Sequence, residues 1–210
     1  MEQVDILLPP KFNKSDIVKS RTQAIADGDW IGSFNLWVVK DSSGPAMVYQ
    51  QRSQNSTLLP SKLDVTVGGH YQTGERMSEG LREVREEIGK DYEFSQLTPL
   101  GRKMFVAPDV QNNMRHNIVD VFILKDNSPL TTYKLQELEV SGIFECPISE
   151  LLKTHLKKDY SFIAKGYDVH GKETEIKVIK ESFPYNWDNY HLKMTYIARA
   201  FLEGKKGLLY

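Results

Sequence analysis

The sequence predicts a mixed α/β layer fold, and three observations carry that prediction. Short β-rich runs recur before, between and after amphipathic helices, the order expected when helices cover a mixed sheet. The chain has 210 residues, 40% hydrophobic and 26% charged, a balance that can bury a core. No internal repeat, low-complexity tract or long linker interrupts it.

The elements follow in order. Ser15 to Ala26 reads as a short helix with Ile17, Val18 and Ile25 inward, ended by Gly28. Gly32 to Lys40 and Pro45 to Arg52 are β-rich runs around Asp41-Ser42-Ser43-Gly44, the spacing of a hairpin. Leu63 to Val67 is a strand leading into a Gly68-Gly69 turn. Ser78 to Gly89 reads as a helix, with Ser78 as N-cap and Gly89 just past the end. His116 to Leu124 is a central strand, and Glu139 to Cys146 is another, stopped by Pro147. Ile148 to Leu156 is a short amphipathic helix. Tyr160 to Val169 and Thr174 to Ser182 flank a second hairpin turn at His170 to Glu173. Asp188 to Glu203 is a helix whose Tyr190, Met194, Ile197 and Phe201 share one face and read as core.

Charge and cysteine content narrow the function. With 27 Lys+Arg against 28 Asp+Glu, the net charge is −1. That excludes the basic field of a dedicated nucleic-acid binder and leaves room for a small anionic ligand held by local charges. The lone Cys146 makes neither an internal disulfide nor a multi-cysteine zinc site. No run approaches the roughly 20 apolar residues needed to span a bilayer. Met1 to Lys11 lacks a signal-peptide pattern, so a cytoplasmic protein is expected.

The chemistry concentrates between Gly68 and Gly89, GGHYQTGERMSEGLREVREEIG. On a helix, Glu83, Glu86 and Glu87 fall within a sector of roughly 100°, while Leu81, Val84 and Ile88 occupy the other side. Three carboxylates so close repel unless a counter-charge joins them. Oxygen-only ligands suit a hard ion, Mg2+ or alternatively Mn2+, which commonly shares its coordination with substrate phosphates. The adjacent glycines let backbone come close to a ligand.

This stretch resembles the box of the Nudix hydrolases, which runs Gly, five residues, Glu, seven residues, then Arg-Glu-aliphatic-any-Glu-Glu-any-Gly-aliphatic. Gly69, Glu75, Arg82, Glu83, Val84, Glu86, Glu87 and Gly89 match. Two positions depart: the spacer from Arg76 to Leu81 is one residue short, which bears on Glu75, and Lys90 stands at the final aliphatic position. Gln50 to Ser53, Leu59 to His70, Lys134 to Ile143 and the end from Tyr185 onward are similar to a bacterial Nudix subgroup related in sequence to isopentenyl-diphosphate isomerase.

The resemblance implies an α/β/α sandwich around a mixed sheet, with a C-terminal hairpin-plus-helix extension. It implies one domain over residues 1–210, with a core at about 30–156 and extensions at 1–29 and 157–210. The implied activity is Mg2+-dependent hydrolysis of a diphosphate linkage in a nucleoside-diphosphate-type small molecule. Glu83, Glu86, Glu87 and the Gly68 carbonyl would hold the metal. Glu86, Glu87 and a distal glutamate would serve catalysis, with Glu139 preferred over Glu137 because it opens a strand. Arg82 would orient a carboxylate, and Gly69, Glu75 and Gly89 would shape the box. Arg52 is expected to grip a phosphate and His70 to face substrate. Arg102, Lys103 and Arg115 would add positive charge, although nothing in the sequence places them. The other histidines receive no role, and Trp30 and Trp37 are expected as core or rim aromatics. The expected partner is the small-molecule diphosphate, with neither nucleic acid nor membrane, and a homodimer is compatible.

Two other readings stay open. An isopentenyl-diphosphate isomerase uses a cysteine where this chain has Gly68, and histidines that do not occur here before His70. A non-catalytic nucleotide sensor often loses the helix glutamates, all of which are kept.

Overall fold

A computed structural model describes residues 2–184 and 188–210 of the chain. The elements are β1 (Gln3–Leu8), β2 (Asn13–Ser20), α1 (Arg21–Ala26), β3 (Trp30–Lys40), β4 (Ala46–Arg52), β5 (Leu63–Asp64), β6 (Val67–His70), α2 (Leu81–Ile88), β7 (Thr98–Pro108), β8 (Met114–Lys125), β9 (Val140–Pro147), α3 (Ile148–Leu156), β10 (Phe162–Asp168), β11 (Glu173–Val178) and α4 (Tyr190–Leu202). All the strands join one mixed sheet.

The pivot is β3. Along one edge it runs parallel to β8 from Trp30↔His116 to Val39↔Lys125. Along the other it meets β1, then β6, then β4, all antiparallel. From β4 the sheet continues through β9 and β10 to β11. Alternate residues of β3 face opposite layers, as the two-residue repeat of a strand requires. Leu36 and Val38 join Leu81, Val84 and Ile88 of α2 in one core. Trp37 and Val39 join Ile148 and Leu151 of α3 and Tyr190, Met194 and Ala198 of α4 in the other. Helices on both faces make the α/β/α sandwich that was expected. The β3–β4 and β10–β11 hairpins form as read from the sequence.

The expected helix over Ser15 to Ala26 does not form at that length. β2 extends to Ser20 and pairs with β1 through Asp5↔Val18 and Val4↔Lys19. Ile17 and Val18 are exposed rather than inward. β-branched residues suit a strand when a partner edge is available. The helix starts only at Arg21, where Ser20 Oγ accepts the Gln23 N–H at 3.2 Å. The expected single strand at Leu63 to Val67 is divided. β5 pairs with β4, and β6 pairs with β3. Between them the buried Thr66 bridges the gap: its Oγ1 accepts the Val38 N–H at 2.9 Å and donates to the Val48 carbonyl at 2.5 Å. Gly68 and Gly69 therefore lie inside a strand, opposite Asn35 and Phe34, and not in a turn.

The last helix covers Tyr190 to Leu202, within the expected span, and the expected face is buried or part-buried in the core. Residues 185–187, where the resemblance of the C-terminal stretch begins, lie outside the described residues.

His155 of α3 and His191 of α4 sit in this second core with their rings 4.9 and 5.1 Å from that of Phe183. Among the described residues, both nitrogens of His155 and Nδ1 of His191 lack hydrogen-bond partners. Burial, followed by the charge of Lys180, lowers His155 to about 4. Burial, followed by His155 and Lys103, lowers His191 to about 3. Both folded values lie below the unfolded histidine value, so the stability they confer is present above about pH 6.5 and is lost as pH falls. We expect urea titrations to show a loss of about 3 kcal/mol between pH 7 and pH 5 from these two groups. His155→Phe should remove about half of that loss. An unchanged pH dependence in that variant would show that His155 takes up its proton without unfolding the chain.

Candidate active site

The site is assembled at the seam between α2 and the β3–β6 edge. A 3-10 turn at Met77–Gly80 precedes α2. Ser78 is not the N-cap; the Glu79 carboxylate instead accepts the Arg76 N–H at 2.6 Å. Gly89 ends the helix in the left-handed region at φ 62°, donating its N–H to the Arg85 carbonyl. The 134–136 segment completes the C-terminus, with Lys134 N–H on the Ile88 carbonyl at 2.9 Å and Gln136 N–H on the Glu87 carbonyl at 3.0 Å. That attachment, together with Ser53 N–H donating to the Glu139 carbonyl at 2.8 Å, brings Glu139 alongside α2. Lys90 is housed by polar groups and a ring face: its Nζ reaches Ser128 Oγ at 2.7 Å and Thr132 Oγ1 at 2.6 Å and lies 4.4 Å from the centroid of the Tyr133 ring.

Glu83, Glu86, Glu87 and Glu139 line one cleft of about 720 Å³, together with Gly68, Gly69, His70, Arg52 and Arg115. Glu137 is not among its lining residues. Glu87 is 4% exposed. It accepts from the Gly68 N–H and from Gln50 Nε2, each at 3.2 Å. Burial, followed by the charges of Glu83 and Glu139, pushes its carboxyl well above the usual range. Burial also pushes Glu83 up to about 7, while the neighbouring Arg82 charge works against the rise.

Arg82 organises the box. Its Nε donates to Glu75 Oε1 at 2.8 Å, Nη1 to Glu86 Oε2 at 2.7 Å, and Nη2 to Glu83 Oε1 at 2.9 Å. Nη2 also reaches the His70 carbonyl at 3.2 Å. Glu75 in turn accepts the Gln72 N–H at 2.7 Å, so the short spacer closes on itself and Glu75 braces Arg82. Gly69 is needed for a close approach: a Cβ there would lie 2.1 Å from Glu83 Cδ.

Arg52 lines the cleft while donating through Nε to the Leu58 carbonyl at 3.0 Å and lying 3.6 Å from Asp64. His70 Nδ1 faces Arg21 Nη1, and its Nε2 faces the Asn117 amide, each at 3.2 Å. Burial, followed by the charges of Arg21, Arg115 and Arg52, lowers it to about 3, so the ring is neutral at pH 7. Gln50 was missed in the sequence. Strand alternation reveals it once Arg52 is placed, since both line the cleft, whereas Gln51 Nε2 donates to the Ser61 carbonyl. Arg21 and Asn117 carried no sequence signal and arrive from distant elements. Cys146 is fully buried in the core, away from the place a catalytic cysteine would need.

The donor set fits a hard divalent ion. It is all oxygen, and its most buried member, Glu87, lies against two further carboxylates. Among the described residues, no three acidic or histidine groups yet converge on one point. Glu83 and Glu86 are drawn to Arg82, which supplies the positive charge in this arrangement. Rotation of those two side chains off the guanidinium is what an ion would require.

The fold and the cleft carboxylates agree with what the comparisons find. The NUDIX domain model matches residues 32–166. An uncharacterized Nudix hydrolase of Clostridium acetobutylicum is 28% identical over 194 residues, covering 88% of this chain and 90% of that one. Nudix hydrolase 3 of Arabidopsis thaliana is 26% identical over 181 residues, 81% of this chain but 22% of that longer protein. A crystal structure from Deinococcus radiodurans superposes with a TM-score of 0.56 at 22% identity, covering 76% of this chain and 91% of the other. The chain belongs to the Nudix hydrolase family, whose substrates are generally linked to a nucleoside diphosphate. Among the described residues, no helix is long and apolar enough to cross a membrane.

Proposed function

We propose that this protein is a Mg2+-dependent hydrolase that cleaves a diphosphate linkage in a small molecule of the nucleoside-diphosphate type, working in the cytoplasm. The observation that carries the reading is that four carboxylates from two separate segments line one cleft beside Gly68 and Gly69. Glu83, Glu86, Glu87 and the Gly68 carbonyl are the residues that would hold the ion. A bound Mg2+ would neutralise diphosphate oxygens and lower the pKa of a bound water. Gln50 and the Gly68 N–H fix the Glu87 carboxylate, and Arg82 with Glu75 fixes the helix register around it. Glu139 is assigned the role of general base, accepting a proton from the water that attacks phosphorus. The bond from that phosphorus to the leaving phosphate oxygen then breaks. Arg52 and Arg115, which line the same cleft, would donate to the charged oxygens.

The test is a panel of nucleotide sugars, dinucleotides and oxidised nucleotides assayed with Mg2+ and again after chelation. We expect turnover of at least one diphosphate, abolished by chelation and restored by Mg2+ or Mn2+. Tight binding of a nucleotide with no turnover would replace this reading with that of a sensor.

A further inference from the structure

Lys90 departs from the family box, which carries an aliphatic residue at that position. Its ammonium enters a polar knot centred on Asp126, the residue directly after β8.

We infer that Asp126 is a positioning residue for Glu139, holding the 130–139 segment in the place from which Glu139 reaches the cleft. Asp126 does not line the cleft. It acts through Glu139, so the inference rests on the hydrolase reading for what Glu139 does there.

The knot gathers three stretches of chain on one carboxylate. Tyr92, beyond α2, donates its O–H to Asp126 Oδ2 at 2.6 Å, and Tyr133 donates to the same oxygen at 3.3 Å. Ser128 donates its N–H to Oδ1 and its O–H to Oδ2, each at 2.8 Å. Lys90 Nζ lies 3.6 Å from Oδ2 while holding Ser128 and Thr132. The knot is itself fixed to the sheet, because the Asp126 N–H donates to the Val39 carbonyl near the end of β3 at 3.0 Å. The Lys90 and Asp126 side chains are 14% and 16% exposed, and Tyr133 is buried. Charge-assisted bonds shielded in this way hold geometry more firmly than an exposed ion pair does. Burial pushes the Asp126 carboxyl up, but the bonds from Tyr92 and Ser128 and the Lys90 charge outweigh it and hold it at about 2. The knot therefore stays ionised through neutral and mildly acid pH.

What the knot delivers is Glu139. Tyr133 leads straight into the stretch that caps α2 through Lys134 and Gln136. The Gln136 carbonyl then accepts both the Glu139 N–H at 3.0 Å and the Val140 N–H at 2.9 Å, which turns the chain and sets Glu139 on the cleft wall. The other side of that contact is tied to the same carboxylate. Lys90 follows Gly89, where a Cβ would lie 2.6 Å from Lys134 Cβ. Thus the end of α2 is held through Lys90 and Tyr92, and the Glu139 segment through Ser128 and Tyr133. Among the described residues, none of these bonds reaches Arg52, Gly68 or His70, so loosening the knot should displace Glu139 and spare substrate binding.

The test is a double-mutant cycle on the full chain with Mg2+ and whichever diphosphate of the panel is turned over. Asp126→Asn should lower kcat by about tenfold, the scale of a slightly misplaced group, with KM within about twofold of its starting value. In a Glu139→Gln background the same substitution should cost nothing further, because nothing is left to place. A merely structural loss would be additive there. If Asp126→Asn fails to fold, Lys90→Met replaces it in the cycle, with an expected loss of about threefold. Deuterium exchange on the metal-free protein supplies a readout without turnover: peptides over 130–139 should exchange about tenfold faster in the variant, and those over β3 should not change. Unaltered kcat in the folded variant, an additive loss in the Glu139→Gln background, or unchanged exchange over 130–139 overturns the inference. Absence of turnover in the unaltered protein overturns the hydrolase reading instead, and the exchange measurement alone then decides whether the knot holds the segment.

Discussion

Glu87→Gln should reduce Mg2+-dependent hydrolysis by about 100- to 1,000-fold, the several kcal/mol that a correctly held ion contributes. Glu87 is the most enclosed of the four cleft carboxylates and the one fixed by both Gln50 and the Gly68 N–H. Glutamine keeps an oxygen to accept those two bonds and removes only the charge. In the metal-free protein the substitution should not lower stability, because it relieves a buried carboxyl crowded by Glu83 and Glu139. The measurement is kcat/KM beside the melting temperature of the metal-free protein. Lost activity with a preserved or higher melting temperature supports a ligand role. Full activity in the folded variant removes Glu87 from the mechanism.

Gly69→Ala should be nearly as damaging to activity, by about 100-fold, for a steric reason. The added Cβ would stand 2.1 Å from Glu83 Cδ and 2.3 Å from its Oε1. Those atoms are the end of a flexible side chain, so the fold can survive at a cost of about 1–3 kcal/mol of overpacking. Glu83 must leave its place, and the Arg82 contact at 2.9 Å goes with it. Activity close to that of the unaltered protein, in a sample that melts normally, would show that Glu83 need not occupy its present position.

Much of the fold was legible because its strongest signals were local. The β3–β4 hairpin was marked by its turn residues, and α2 by carboxylates and apolar residues on opposite sides of one helix. The helix α3 was found at its observed limits. Where the sequence reading failed, tertiary pairing decided the outcome. Ile17 and Val18 have helix-compatible spacing, but β1 offers an edge, and they become strand residues. β1 and β7 were not anticipated, although each pairs with the strand that follows it in the chain, β2 and β8. The glycine pair was recognised as special for the wrong local reason: Gly69 lies in an extended strand, and the approach of Glu83 is what forbids a side chain. Of the site, the helix carboxylates were readable from periodicity alone. The placement of Glu139 on the cleft depends on the 134–136 segment capping α2, a contact with no sequence signature. The same limit applies to Lys103, whose environment is supplied by β8 and by a helix almost ninety residues later.

The account depends on the cleft carboxylates gathering around one divalent ion, and the most direct measurement is a crystal soaked in Mn2+ with anomalous scattering recorded. The predicted result is a peak in the cleft bonded to oxygens of Glu83, Glu86 and Glu87 and to the Gly68 carbonyl, with Glu83 and Glu86 turned away from Arg82. A saturating soak that leaves both carboxylates on the guanidinium, with no anomalous peak between them and Glu87, would contradict it.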